Sequence, residues 1–284
     1  MTALESKPNP GRKLFFGLFV FPLLLAVGMA VLLCTVVLLT NEETTPESLI
    51  TAIKTGSPNK RWQKAFELSN ELNQNKDAVR SDAVMRGIIH ILQDKTHYDP
   101  KTRAYMALAL GYFNKPEAIE ALRSTLSDTD RDIELYSLWA LGTLRVKAAI
   151  PVILPFLRNE DGDLRKVACY VLGVMGDPSV VPVLRARLND AVADVRWNAA
   201  LALARLGDES AVDVLSKMLD RQSLVRDHDM DEEAVEKVMI NATKGLALLK
   251  NPKTSGLLEL VSKNDKNLKV RQAAINAMEY QRGS

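Results

Sequence analysis

The chain is poor in the side chains that most enzymes depend on. It has two cysteines in 284 residues. Cys34 lies in a strongly apolar run and Cys169 in a distant helical pattern, so no disulfide is expected within the domain and the redox compartment stays unassigned. With no His or Asp beside it, Cys169 reads as a small buried apolar residue rather than a nucleophile. There are three histidines, His90, His97 and His228, too scattered for a zinc site. No glycine-rich phosphate loop and no Gly-x-Ser-x-Gly elbow occurs.

An excess of one charge is also missing. The net charge is +2, and residues 1–40 account for it with Lys7, Arg12 and Lys13 against Glu5. The remainder balances to zero. A phosphate-tracking surface shows itself as a basic excess, so nucleic acid is excluded as the expected partner.

What the sequence does have is, first, a long apolar run. Leu14 to Leu39 carries no charged residue, and ~20 residues of helix cross the hydrocarbon core. Pro22 and Gly28 are tolerable in such a helix. A cleaved signal peptide has a shorter apolar stretch ending in small residues, and Leu33 before Cys34 does not suit a lipoprotein signal. An uncleaved transmembrane helix over 14–40 is expected, with a short tail at 1–13 and a linker at 41–46. Arg12 and Lys13 precede the run and Glu42, Glu43 and Glu47 follow it. Basic flanks stay in the cytoplasm, which places the tail inside and the domain outside, in the periplasm of a bacterial inner membrane. The reversed topology is the alternative.

The second feature is a repeat. The stretches Thr102–Phe113, Ile133–Leu144, Leu164–Met175 and Val195–Leu206 align at one constant spacing without a gap. They bring Arg103, Glu134, Arg165 and Arg196 into one column and Leu110, Leu141, Leu172 and Leu203 into another. The phrases between them recur too, as in "GDPSVVPVL" (Gly176–Leu184). Pro58–Ser69 matches Pro100–Gly111, and two further copies end the chain, around "VMINATKGLALLK" and "VRQAAINAMEY" (Val270–Tyr280). A fixed 31-residue period lies in the range that means a solenoid. The pattern predicts an all-α fold of about seven helix pairs over 47–281, with insertions near 72–82 and 221–233. First helices open after Pro or Asp. Second helices carry small residues (Ala107, Ser137, Ala168, Ala199, then Gly111, Gly142, Gly173, Ala204) that let neighbouring repeats approach.

The phrase "LG-x-x-GDP-x-x-(V/I)P-x-L" and the helix start "D-x-(L/V)-R-x-x-A" resemble HEAT repeats, specifically the bacterial PBS-lyase HEAT-like type. The resemblance covers most of 47–281. It implies an α-solenoid and, by its family name, a relationship to bilin-attaching lyase subunits. An enzyme or enzyme subunit is therefore the alternative function. No histidine is followed by Glu, so the paired His-Glu motifs of the HEAT-repeat iron hydroxylase are absent, and the neutral domain offers no groove like that of a HEAT-like DNA glycosylase.

The arginine column is expected to be structural, each arginine pairing with a nearby acid such as Asp132, Asp163 or Asp194. Two, six and nine residues beyond it runs one stripe of the second helices: Tyr105/Ala109/Tyr112, Tyr136/Ala140/Thr143, Val167/Val171/Val174, Asn198/Ala202/Arg205. If second helices line the concave side, as in HEAT solenoids generally, Tyr105, Tyr112, Tyr136, Val167, Val171 and Arg205 form a partner-binding trough; otherwise part of the stripe packs on the next repeat. Trp62, Trp139 and Trp197 are expected in the core. Asp227, Asp229 and Asp231 have the opening spacing of a calcium loop, but Glu232 and Val238 stand where that loop needs Gly and Glu. A solvated acidic loop is expected there.

The sequence thus predicts a membrane-anchored, non-enzymatic scaffold that binds a protein partner, another membrane or envelope component. No cofactor, metal or small-molecule substrate is expected.

Overall fold

The computed structural model describes residues 20–40, 45–74 and 81–283. The expected tail (1–13), the start of the apolar run (14–19), residues 41–44 of the linker and 75–80 of the first insertion lie outside them. The described residues are helices and turns with no strand among them, in two units that meet at Thr45–Pro46.

The first unit holds helix α1 (Phe21–Thr40), which carries no charge. Its large side chains over residues 21–36 are exposed. Among the described residues no helix is long and apolar enough to cross a membrane. The expectation of a spanning helix over 14–40 is corrected to that extent: the described helix, which starts at Phe21, does not by itself make a span.

The second unit is seven helix pairs in chain order. They are α2 (Pro46–Thr55) with α3 (Pro58–Gln74), α4 (Asp82–Gln93) with α5 (Pro100–Leu110), and α6 (Pro116–Ser124) with α7 (Arg131–Thr143). Next come α8 (Ile150–Ile153) with α9 (Gly162–Met175) and α10 (Val181–Arg187) with α11 (Ala193–Arg205). In the sixth pair an extra helix α13 (Arg221–His228) separates α12 (Val212–Lys217) from α14 (Glu232–Ala247). The last pair is α15 (Pro252–Asn264) with α16 (Leu268–Gly283). The described residues of the second unit thus form an all-helical solenoid of stacked pairs.

The first helix of the fourth pair is short because proline interrupts it. Pro151 starts α8, and Pro155, with no N–H to give, falls in the 3₁₀ turn Leu154–Arg158 that follows. Several second helices start on side-chain caps. Asp99 accepts from the Thr102 N–H at 2.9 Å, and Asp130, Asp161 and Asp231 serve α7, α9 and α14 in the same way. An Asx turn recurs ahead of these helices. The N–H groups of Asp130, Asp161, Val192 and Asn267 donate to the side chains of Asp128, Asn159, Asp190 and Asp265.

Each second helix packs on the next, α3 through α16, and Leu110, Leu141, Leu172, Leu203 and Leu246 are fully buried along the row. The small residues permit this approach. A Cβ on Gly173 would lie 2.5 Å from the Cβ and 2.6 Å from the Cα of Ala202 on the following helix. Gly176 ends α9 at φ +67, the left-handed cap that glycine adopts without strain. Ion pairs also link successive repeats. Arg131 reaches Asp161 and Asp163, Lys269 reaches Glu236 at 3.0 Å, and Lys253 reaches Asp213 at 2.8 Å. These are exposed and individually worth little.

Candidate functional site

Two features of the second helices compete for a functional reading, the arginine column and the outward stripe. The arginines are structural, but with partners other than those expected. Arg103 is buried; its Nε donates to the Leu92 carbonyl at 2.7 Å and its Nη2 to Asp128 at 2.6 Å. Arg165 donates Nε and Nη2 to the two oxygens of Asp190, at 3.0 and 2.9 Å, and Nη1 to the carbonyls of Asn159 and Glu160. The acid in each case lies 25 positions later, in the loop of the next repeat. Asp132, Asp163 and Asp194 instead lie at the exposed helix starts. The arginine thus ties one repeat to the next. Burial raises the Asp128 carboxyl, but the donors Arg103, Asp130 N–H and Lys95 outweigh it and hold it down at about 2. Glu134, the column's exception, is half-buried and raised by burial and by the nearby Asp128 and Asp161 charges.

The stripe divides. Its middle members Ala109, Ala140, Val171 and Ala202 are fully buried, and Val167 is 8% exposed. The reason is stacking: Gly111 approaches Ala140, Gly142 approaches Val171, and Gly173 approaches Ala202. Val167 and Val171 therefore sit inside rather than on a contact surface. Tyr105, Tyr112 and Tyr136 are half-buried and Arg205 is exposed.

The surface is completed by a column the spacing had not singled out, five residues beyond the arginine: Leu108, Trp139, Tyr170 and Leu201, with Phe66 equivalent in α3. Together these form an aromatic row. Phe66 meets Tyr105 edge-on with centroids 5.3 Å apart, and Tyr105 lies 5.9 Å from Tyr136. Trp139 stacks on Tyr170 at 4.8 Å and 4°, and the Arg205 guanidinium stands 5.4 Å over that tyrosine. Trp139 is 40% and Phe66 44% exposed. Of the three tryptophans expected in the core, only Trp197 is buried; Trp62 is half-buried beneath the Lys101 ammonium at 3.3 Å. The signal for the aromatic row was present at the repeat period, but it mixes Leu, Trp and Tyr and is weaker than the glycine and leucine columns.

The segment expected as an acidic loop is mostly ordered helix and caps. Residues 221–228 form α13, Asp229 caps it at φ 50, and Asp231 caps α14 by accepting from the Ala234 N–H at 2.8 Å. Asp227 pairs with Arg226. Among the described residues no group of three or more His, Cys, Asp or Glu side chains could hold a metal. Cys169 is fully buried, and burial pushes its thiol up to about 12, opposed by Arg187 and Arg165, which leaves it an inert packing group.

Stacked helix pairs with an exposed aromatic face, and no convergent polar cluster on that face, define a repeat solenoid suited to protein–protein interaction. The family model for HEAT repeats matches residues 85–164 and 150–228, half of the chain, and the chain belongs to that family. No curated protein matches it. Among solved structures it is similar to the complex of CpcE and CpcF of phycocyanin lyase from Nostoc sp., at 18% identity and TM-score 0.56, covering 85% of this chain and 96% of that one. It is also similar to YibA of E. coli, at 15% identity and TM-score 0.52, with coverage of 84% and 93%. At these identities the likeness is one of fold.

Proposed function

We propose that the protein is a non-catalytic scaffold that holds a partner protein against the second-helix face. The observation that carries this is the partly exposed aromatic row: Phe66, Tyr105, Tyr136, Trp139 and Tyr170 across four consecutive second helices, with Arg205 at the end. Aromatic and arginine side chains are the ones that dominate protein interfaces. The complementary surface is a segment presenting apolar side chains, with an acidic one opposite Arg205. Tyr112 extends the same face.

The proposal includes membrane attachment through residues 14–40, with the solenoid on the outer side and the partner another envelope component. The uncharged run and its basic front flank support this. Tethering raises the domain's effective concentration near membrane partners. On this reading the full-length chain stays in the pellet after alkaline extraction of membranes, and a chain lacking residues 1–40 is released. Release of both forms would remove the anchor and leave the scaffold.

A photo-crosslinking amino acid placed in the full-length protein in living cells tests the face. At positions 139, 170 and 205 it is expected to trap one common protein, and at Val183 and Val225, exposed on first helices and the insertion, to trap little of it. Trp139→Asp with Arg205→Glu is expected to reduce that adduct at position 170 by about tenfold or more, since hot-spot losses reach ~2 kcal/mol each, with melting unchanged. Equal trapping on both sides of the solenoid would sink the assignment.

A further inference from the structure

Where α13 interrupts the repeat register, a cleft of about 630 Å³ opens between the fifth pair, the sixth pair and the inserted helix. Arg196, Trp197, Lys217, Leu224 and His228 line it, and none of them belongs to the aromatic face. Its character follows from the arginine column. Arg165 and Arg196 occupy equivalent positions and start alike. Arg165 gives Nη1 to the carbonyls of Asn159 and Glu160, and Arg196 gives Nη1 to those of Asp190 and Ala191, at 2.7 and 2.9 Å. The other side of the Arg165 guanidinium, Nε and Nη2, grips Asp190 bidentately. The residue in the corresponding place for Arg196 is Arg221, which turns away to Asp265 and Glu232. Among the described residues the Nε and Nη2 fork of Arg196 meets no acceptor.

The carboxylates already in the cleft do not fill this gap. Asp190 is held by Arg165 and by the Val192 N–H, Asp220 caps α13 through the Gln222 and Ser223 N–H groups, and Asp227 pairs with Arg226. The rest of the lining mixes polar Asn189 and Ser223 and the three carboxylates with apolar Leu188, Val214 and Leu224. Trp197 is buried, with the His228 ring edge-on to it at 5.2 Å. Lys217 adds a second cation from α12.

We propose that this cleft binds a carboxylate carried on an aromatic or apolar body, which takes in trans the place that Asp190 takes in cis for Arg165. A planar fork matches a carboxylate with two parallel hydrogen bonds, and the half-buried setting shields the pair from water. The source is either a free small acid or an Asp or Glu side chain that a partner inserts.

Full-length protein labelled with 5-fluorotryptophan provides the readout, the Trp197 resonance being assigned by its loss in Trp197→Phe. The probes are phenylacetate and the capped dipeptide acetyl-Phe-Asp-amide, each against its neutral counterpart, phenylacetamide and acetyl-Phe-Asn-amide. At least one carboxylate is expected to shift Trp197 saturably and to bind at least about tenfold more tightly than its amide, the scale of a charged hydrogen-bonded pair. The tighter of the two names the source. Arg196→Gln should erase the preference. Arg271→Gln, at the equivalent position of the last pair, should leave it intact. Should Arg196→Gln unfold, Arg196→Lys keeps the charge, loses the fork and is expected to weaken the preference. Carboxylates that bind no better than amides, or a preference that survives both Arg196 variants, would overturn the proposal.

Discussion

Asp128 shows what a single side chain does for this fold. It is buried with Arg103, an ion pair at 2.6 Å that joins the second repeat to the third. Its carboxyl is depressed from 3.8 to about 2, so folding favours the ionised form. That stability is complete above the unfolded value near 4 and is lost as pH falls through about 2, an amount of about 2 kcal/mol at most. Asp128→Asn is expected to flatten the dependence of melting temperature on pH between about 4 and 2. It should also lower stability at neutral pH by ~3–5 kcal/mol, because a buried guanidinium loses its counter-charge. Acid titrations of the two proteins followed by circular dichroism check this, and parallel curves would show that Asp128 is not the group concerned. The arginine column was visible in the sequence as a structural feature, but its partners were not. Asp128 lies 25 positions beyond Arg103, a separation that recurs for Arg165 and Asp190 but is interrupted by Glu134 in the arginine column and by Arg221 in the place of the acid. Only stacking reveals that the next repeat's loop returns to the start of the previous second helix.

At the scale of the element, the second helices are set by what faces their neighbours. Gly142 and Gly173 recur one repeat apart because the following helix brings Val171 and Ala202 against them. Gly173→Val is expected to lower stability by ~1–3 kcal/mol, the cost of overpacking, or more because the obstacle includes the Cα of Ala202. Gly256, where an added Cβ meets nothing within 4 Å, is the control, and Gly256→Ala should leave the melting temperature the same or higher. Thermal melts of the two variants decide it; equal destabilisation would remove the close-approach argument. The period gave away which residues are small, and so the existence of the interface. It did not give the rotation of the helix about its axis. That rotation moved Val167 and Val171 from an expected surface into the core and moved Trp139 out of it, since a stripe at two, six and nine and one at two, five and nine differ by a single position. The inserted segment departs from the expected loop for a related reason. Its acidic residues are cap and pair partners of helices, and composition alone reads such clusters as loop.

The second unit is a row of nearest-neighbour contacts between successive repeats. Such a row has a consequence that a globular domain does not share: one unit can be removed if the register is kept. Deleting residues 146–176 joins Arg145 to Asp177 and sets α7 against α11. Gly142 then faces Ala202 in place of Val171, a smaller side chain that leaves room rather than a clash. Arg131 loses Asp161 but finds Asp194 where Asp163 had been. The Asp190 loop takes the place of the Asn159 loop, opposite Glu134, whose like charge makes that junction weaker. The shortened chain is expected to unfold cooperatively at a lower temperature with its helical content per residue kept. Deleting 146–174 instead, out of register by two positions, should lose cooperativity. The in-register shortening also brings Trp139 against Leu201 rather than Tyr170, so the aromatic row is cut while the solenoid survives. If partner crosslinking at position 139 falls in the in-register deletion although its melt stays cooperative, continuity of the aromatic face across repeats, rather than the fold alone, is what the partner recognises. If crosslinking is undiminished, the partner does not need the fourth pair, and Tyr170 drops out of its footprint.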